Sequence, residues 1–197
     1  MKKSTIVKIA LTAAFAATCV NLTSCFLFSK PSAPVTEVST LNQLKAAYGG
    51  KIVLKNDIDC QYTSLNSISA DEFDGNGYTI KNCYITETDG SRSTSFFNKG
   101  VKTIKNVKFE NIEVSGKNGL SAAIVCTGDS NKIENVHVEN CKITYTQASH
   151  GNNLTKTARK CYIGGIYAGF ESSLNNGYPT EYFDCQITNC SVTALTI

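Results

Sequence analysis

The sequence predicts an all-β protein, a right-handed parallel β-helix with a short N-terminal capping helix, and three observations predict it. A unit recurs along the chain: Ile80–Ile85, Ile104–Val114, Ile133–Ile143 and Tyr182–Val192 begin 24, 29 and 49 residues apart. Within each copy apolar and polar residues alternate, the period of a strand with one buried face rather than of a helix. Laid over one another, the copies agree in chemistry. Ile80, Ile104, Ile133 and Tyr182 form one column, Cys83, Val107, Val136 and Cys185 a second, and Ile85, Phe109, Val138 and Ile187 a third. Ile112, Cys141 and Cys190, then Val114, Ile143 and Val192, extend the pattern. A strand-built repeat of roughly twenty to thirty residues is the mark of a solenoid, in which each coil buries its apolar face against the next.

The first segment, 1–24, reads as a secretion signal. Met1-Lys2-Lys3 is basic, the stretch from Ile9 to Val20 is apolar but too short to span a bilayer, and Leu22-Thr23-Ser24-Cys25 resembles a bacterial lipobox. Cys25 is therefore the expected lipid-attachment residue, which would hold the chain on a membrane of the bacterial envelope, at the outer membrane or cell surface. Residues 25–38 contain Pro31 and Pro34 and are expected to form an extended tether, with the β-helix domain at 39–197. The signal holds Lys2, Lys3 and Lys8 but no Asp or Glu, so its removal leaves 16 of the 19 basic residues against 16 acidic ones. A neutral mature chain lacks long-range attraction to nucleic acid or anionic surfaces.

Ser39 or Thr40 is placed to cap a helix carrying Leu41, Leu44 and Ala47 on one face and ended by Gly49-Gly50. The helix is expected to cover the first coil, with Ile52 to Ile58 as the strand beneath. A second set of segments, Thr94–Asn98, Ala122–Cys126 and Gly164–Ala168, joins small residues to large apolar ones and predicts another strand face at a narrow corner. Asparagine recurs at Asn82, Asn106 and Asn135, with Asp184 in the same column, and again at Asn111, Asn140 and Asn189. An Asn side chain bonds its neighbours in stacked layers and tolerates left-handed backbone, so these positions predict structural ladders. Asp57 and Asp59 are assigned to a turn. So is Asp74-Gly75-Asn76-Gly77, whose calcium-loop pattern fails at Cys83.

These residues make the chain similar to pectin-lyase-like β-helix proteins bearing GLUG-type repeats. The resemblance rests on Leu54–Asp59, Phe73–Ile80, Ile163–Ala168 and Ile187–Cys190, and spans about Thr40 to Ile197. It implies the β-helix fold and a place among bacterial surface proteins in which such repeats are commonly non-catalytic. The Gly-rich repeat is degenerate at Ala122–Cys126. The sequence ends at Ile197 while still strand-like, so the expectation is either an incomplete β-helix or a last coil that associates end to end with a partner.

Enzymes resembling this fold work with clustered carboxylates, often with Ca²⁺ and an Arg or Lys base. Here the outward positions mix charge signs, Arg92 and Arg159 are the only arginines, and the stacked Glu110 and Glu139 read as solvated surface charge. His137 and His150, the only histidines, lack Cys or carboxylates at ligand spacing, so no metal, cofactor or His-based triad is expected. Apart from Cys19 and Cys25, seven of the nine cysteines remain. Cys83, Cys141, Cys185 and Cys190 fall in inward columns, and mostly reduced, buried thiols are expected.

Insertions at Thr146–Lys160 and Glu171–Thr180 lengthen the last interval, and loops on a rigid solenoid are the usual place for recognition. Tyr162, Tyr178, His150, Asn152 and Asn153 are the candidate binding residues. The expected function is a non-catalytic surface binding or adhesion module that meets a glycan or an envelope protein and no nucleic acid. The alternatives are a polysaccharide-active lyase or hydrolase and a passive stalk.

Overall fold

Pro34 admits the chain to its first strand: its carbonyl accepts the Lys51 N–H at 3.0 Å, and a proline at the head of an edge strand costs no ladder bond. The structure, a computed structural model, describes residues 34–86, 93–97, 100–117, 121–127, 132–146, 162–168 and 185–197, all in one unit, Pro34–Ile197. In order these form β1 (Val35–Val38), α1 (Leu41–Ala46), β2 (Lys51–Leu54), β3 (Ile58–Leu65), β4 (Glu72–Asp74), β5 (Thr79–Thr86), β6 (Ser93–Thr94), β7 (Thr103–Glu110), β8 (Glu113–Lys117), β9 (Ser121–Ala123), β10 (Cys126–Thr127), β11 (Lys132–Glu139), β12 (Lys142–Thr146), β13 (Tyr162–Gly164), β14 (Tyr167–Ala168), β15 (Gln186–Thr188) and β16 (Ser191–Thr193). The fold is all-β apart from α1, and its strands pair in parallel.

The last four residues of the stretch read as a tether are β1, in register with β2 through Thr36↔Ile52 and Val38↔Leu54, and Val38 is fully buried. The helix follows at once. Thr40 caps it: the Thr40 hydroxyl accepts the Gln43 N–H at 3.3 Å while Gln43 Oε1 accepts the Thr40 N–H at 3.1 Å. Six residues are too few for an independent helix. Burial of Leu44 against β1 and β3 holds it in place.

Like residues stack on like from layer to layer. One inward column runs Ile52, Phe73, Ile104, Ile133, Ile187. A second runs Ile58, Ile80, Phe109, Val138, Val192, and a third Leu65, Ile85, Val114, Ile143. The second strand face is separate: β6, β9 and β13 form one small sheet, and β10 and β14 another. Phe96 and Phe97 enter the core between them and meet Phe109 and Phe73, with ring centroids 4.9 and 4.7 Å apart. Four fully buried aromatic rings thus fill the centre of the stack.

This register corrects the columns read from the sequence in two places. Ile80 stacks on Phe109, not Ile104, and Ile187 stacks on Ile133, not Val138. Both slips are of five residues. Ile104-x-Asn106-Val107 and Phe109-x-Asn111-Ile112 are near copies of each other, so a five-residue shift still lays Asn on Asn and apolar on apolar. What decides between them is the hydrogen-bonded ladder, with Tyr84↔Glu113 on one side and Val138↔Val192 on the other. The expected strand from Ile52 to Ile58 is also two strands, β2 and β3, parted by Lys55–Asp57.

Candidate binding surface

Each bend between strands places one residue in left-handed backbone, and asparagine supplies it at Asn82, Asn106, Asn111, Asn135, Asn140 and Asn189, with φ between 50° and 56°. The corrected register regroups them. In one ladder Asn189 Nδ2 donates to Asn135 Oδ1 (3.2 Å), Asn135 Nδ2 to Asn106 Oδ1 (3.1 Å) and Asn106 Nδ2 to Asp74 Oδ1 (3.1 Å). In the other Asn111 Nδ2 donates to Asn82 Oδ1 (3.1 Å) and Asn82 Nδ2 to Asp59 Oδ1 (3.0 Å). Every donor points toward the preceding layer, so each ladder is received by an acceptor-only carboxylate. Asp59 is held below the usual carboxylate range by the Gln61 N–H, then by Asn82 and Lys81. Burial pushes Asp74 up, but the Asn76 N–H, Asn106 and nearby lysines together outweigh it and the net shift is downward.

The outward columns are zipped by ion pairs. Lys51 and Lys105 each lie 3.0 Å from Glu72 Oε1, an atom shut off from solvent and held by charge rather than by well-aligned hydrogen bonds. Contacts from Lys51 and Lys105 accordingly hold the Glu72 carboxyl low. The stacked Glu110 and Glu139 share one lysine, Lys108, at 3.0 and 2.6 Å. His137 has partners that sequence spacing did not reveal. Its Nε2 lies 3.2 Å from Asn135 Oδ1 and its Nδ1 2.8 Å from Ser191 Oγ, both within hydrogen-bond distance. The imidazole thereby ties β11 to β16. Among the described residues no group of three His, Cys, Asp or Glu side chains could hold a metal ion.

The first layer differs from all the others. Where later layers bend on a single residue, Asn in every case but Ala194, β3 bends on Cys60-Gln61-Tyr62, and its register to β5 shifts between Asp59 and Thr63. Gln61 and Tyr62 both have left-handed backbone, φ 54° and 55°. Cys60 turns inward, fully buried, and forms a disulfide with Cys83, their Cα atoms 5.0 Å apart. Cys83 thus departs from the expectation of reduced thiols, because the inserted residues bring Cys60 over it, which equal-length layers would not; Cys141, Cys185 and Cys190 are free thiols, in keeping with that expectation. Cys141, by contrast, is a buried thiol pushed up to about 11 by desolvation. The five-residue slip also puts Cys190 level with Val136 rather than Cys141.

Tyr62 turns outward, 57% exposed, and its ring lies 6.0 Å from that of Tyr84 at a tilt of 45°. Thr63 follows, taking a hydrogen bond from Lys45 Nζ (3.4 Å) and giving one to the Cys60 carbonyl (2.7 Å). Beyond it a groove of about 350 Å³ opens between Lys45 to Tyr48, the end of α1 and the two residues after it, and the segment 64–69. Leu65 and Ile68 are buried beneath it, and Tyr48 stands on its rim, 82% exposed.

Of the binding residues expected from the sequence, Tyr162 opens β13 in register with Ser121. Cys25, His150, Asn152, Asn153 and Tyr178 lie outside the described residues. Asp57 and Asp59 act on backbone, Asp57 accepting the Thr79 N–H one layer on and Asp59 the Gln61 N–H, both at 2.8 Å. Sequence reasoning missed Tyr48, Tyr62, Tyr84 and Lys45. The available signal was the departure of Cys60-Gln61-Tyr62 from the Asn rule. No protein family, curated protein or solved structure matches the chain.

Proposed function

We propose that the chain is a right-handed parallel β-helix of the pectin-lyase-like, GLUG-bearing kind, and that it works as a non-catalytic binding module of the bacterial cell envelope, carried on a lipid at Cys25. A strand that returns in parallel to its own sheet does so with a right-handed crossover in about 98% of cases, which supports the hand. The lipobox-like Leu22-Thr23-Ser24-Cys25 supports the anchor and the placement at the outer membrane or cell surface.

The observation that carries the binding reading is the groove beside α1. Its volume, about 350 Å³, lies within the range of about 300–1,000 Å³ usual for ligand sites, and hydroxyl, amide and ammonium groups converge on an apolar floor. It sits on packed layers, so little ordering is left for a ligand to impose. Against an acid–base role, Glu110 and Glu139 are tied up by Lys108. At the last layer Ile187 and Val192 keep 46% and 43% exposure over buried Ile133 and Val138, a second surface able to meet a partner.

Two measurements test the reading. In cells fed labelled palmitate, the full chain is expected to take up label and sediment with membranes, and Cys25→Ser to do neither. The purified full chain is expected to be retained on isolated cell envelopes, with Lys45→Ala/Tyr48→Ala retained less than one tenth as well. Equal labelling of Cys25→Ser, or no retention of the parent protein, would sink it.

A further inference from the structure

We propose that Tyr62 and Tyr84 form a saccharide-binding platform, continuous with the groove beside α1, whose shape is fixed by the Cys60–Cys83 disulfide. This rests on the binding-module reading and adds to it a place and a ligand class.

The first ground is backbone conformation. A left-handed tyrosine is a true outlier, raised by roughly 1–2 kcal/mol over an extended one, and Gln61 and Tyr62 are two such residues in succession. Every later bend but the one at Ala194 uses Asn, so the fold has a less strained solution that the first layer does not adopt. Strain of this kind persists where the surroundings over-determine it, and it clusters at ligand sites.

The second ground is what the strain presents. It turns an aromatic ring out to solvent at 57% exposure, beside a second ring 6.0 Å away. Tyr62 and Tyr84 each lie within two residues of a half-cystine, Cys60 and Cys83, so the disulfide fixes the spacing of the strands that carry them. Two phenol rings tilted by 45° make a shallow, faceted surface rather than a flat slot.

The third ground is the company the rings keep. Thr63, Ser64 and Thr86 surround them, with the two hydroxyls of Ser64 and Thr86 3.4 Å apart, and Ser64 stands in register with Tyr84 and also lines the groove. Lys45 reaches Thr63 from the groove side. An apolar ring face bordered by hydroxyl donors and acceptors and one ammonium matches a sugar ring, which offers C–H bonds on its faces and hydroxyls on its edge. A proline-rich peptide would also stack on tyrosines, but it offers few groups to this many hydroxyls.

The test uses the full chain in detergent on a printed array of neutral and acidic oligosaccharides, with a decaproline peptide and isolated cell envelopes alongside. The parent protein is expected to bind at least one saccharide, Tyr62→Phe to bind within about threefold of it, and Tyr84→Ala at least tenfold more weakly. Tyr62→Gly is the decisive variant. Glycine accepts the left-handed backbone, so its thermal midpoint should equal or exceed that of the parent while saccharide binding falls at least tenfold. Undiminished binding by Tyr62→Gly and Tyr84→Ala overturns the platform and leaves the envelope-binding reading standing. So does retention on envelopes or decaproline with no saccharide bound. Loss of envelope retention by the parent itself overturns both.

Discussion

Ala194 occupies the bend one layer beyond Asn140 and has the same left-handed backbone, φ 53°, without an amide to use there. The register Val138↔Val192 and Glu139↔Thr193 sets the two residues over each other. Asn tolerates that backbone better than Ala and could donate to Asn140 as Asn189 donates to Asn135. Ala194→Asn is therefore expected to raise stability by about 1 kcal/mol, combining relief of backbone strain with one hydrogen bond. In a chain of this size that is a rise of roughly 2–4 °C in thermal midpoint. An unchanged or lower midpoint would show that the ladder adds nothing at that layer. Gly75 meets a different need: a Cβ there would overlap the Asn106 carbonyl and the Val107 side chain, so the turn at Asn76-Gly77 can lie flush against the next layer.

Among the elements, β3 stands apart because its bend is longer by two residues and is closed covalently. A bridge across 23 residues removes chain entropy from the unfolded state, an effect of about 3 kcal/mol for a loop of this order. Cys60→Ser/Cys83→Ser should lower the unfolding free energy by about that amount in urea titrations, and the unreduced, denatured parent should show two fewer free thiols than after reduction. Strand faces, the capped helix and the recurrence of Asn at the bends were legible in the sequence, because each rests on a local pattern: alternation, a Thr-x-x-Gln box, an amide at a fixed offset; which Asn bonds to which was not. Register was legible between β7 and β11, where the whole eleven-residue copy is present. It was not legible for β5, where half a copy fits equally well in either of two places five residues apart, or for β15, where Ala194 stands in place of the copy's second Asn and Tyr182–Val192 keeps the pattern five residues off. The tyrosine platform was hidden for a related reason, since an insertion into the first layer has no equivalent elsewhere to be compared with.

Across the whole molecule, charge is paired layer to layer, and pH is the variable that undoes it. Asp59, Glu72 and Asp74 all titrate below their ordinary values. A carboxyl lowered in the folded state contributes stability that is fully present above its unfolded value, about 4, and is lost as pH falls through the lower folded values. Lys55, Lys105 and Lys108 are raised above 10.5, so their contribution is complete below that value and is lost as pH rises through the higher folded ones. The urea midpoint is expected to be flat between about pH 5 and pH 10 and to fall on both sides. Asp74→Asn keeps an oxygen for Asn106 but cannot titrate, and should flatten the acid limb. An acid limb as steep as the parent's would place the titrating group elsewhere. Six of the ten ion pairs among the described residues have both side chains at least one third exposed, and such pairs contribute little, so added salt should shift the midpoint only slightly.

Asn106 and Asn135 each donate a hydrogen bond to the layer behind and accept one from the layer ahead in the same geometry. A block copied from between Ile104 and Ile133 would therefore find, above and below, the neighbours it already has. Such a splice should be accepted as a spare storey is by a building of identical floors, adding about 4.8 Å of height and no new kind of joint. The first floor is the exception, because its clasped bend fits only its own place.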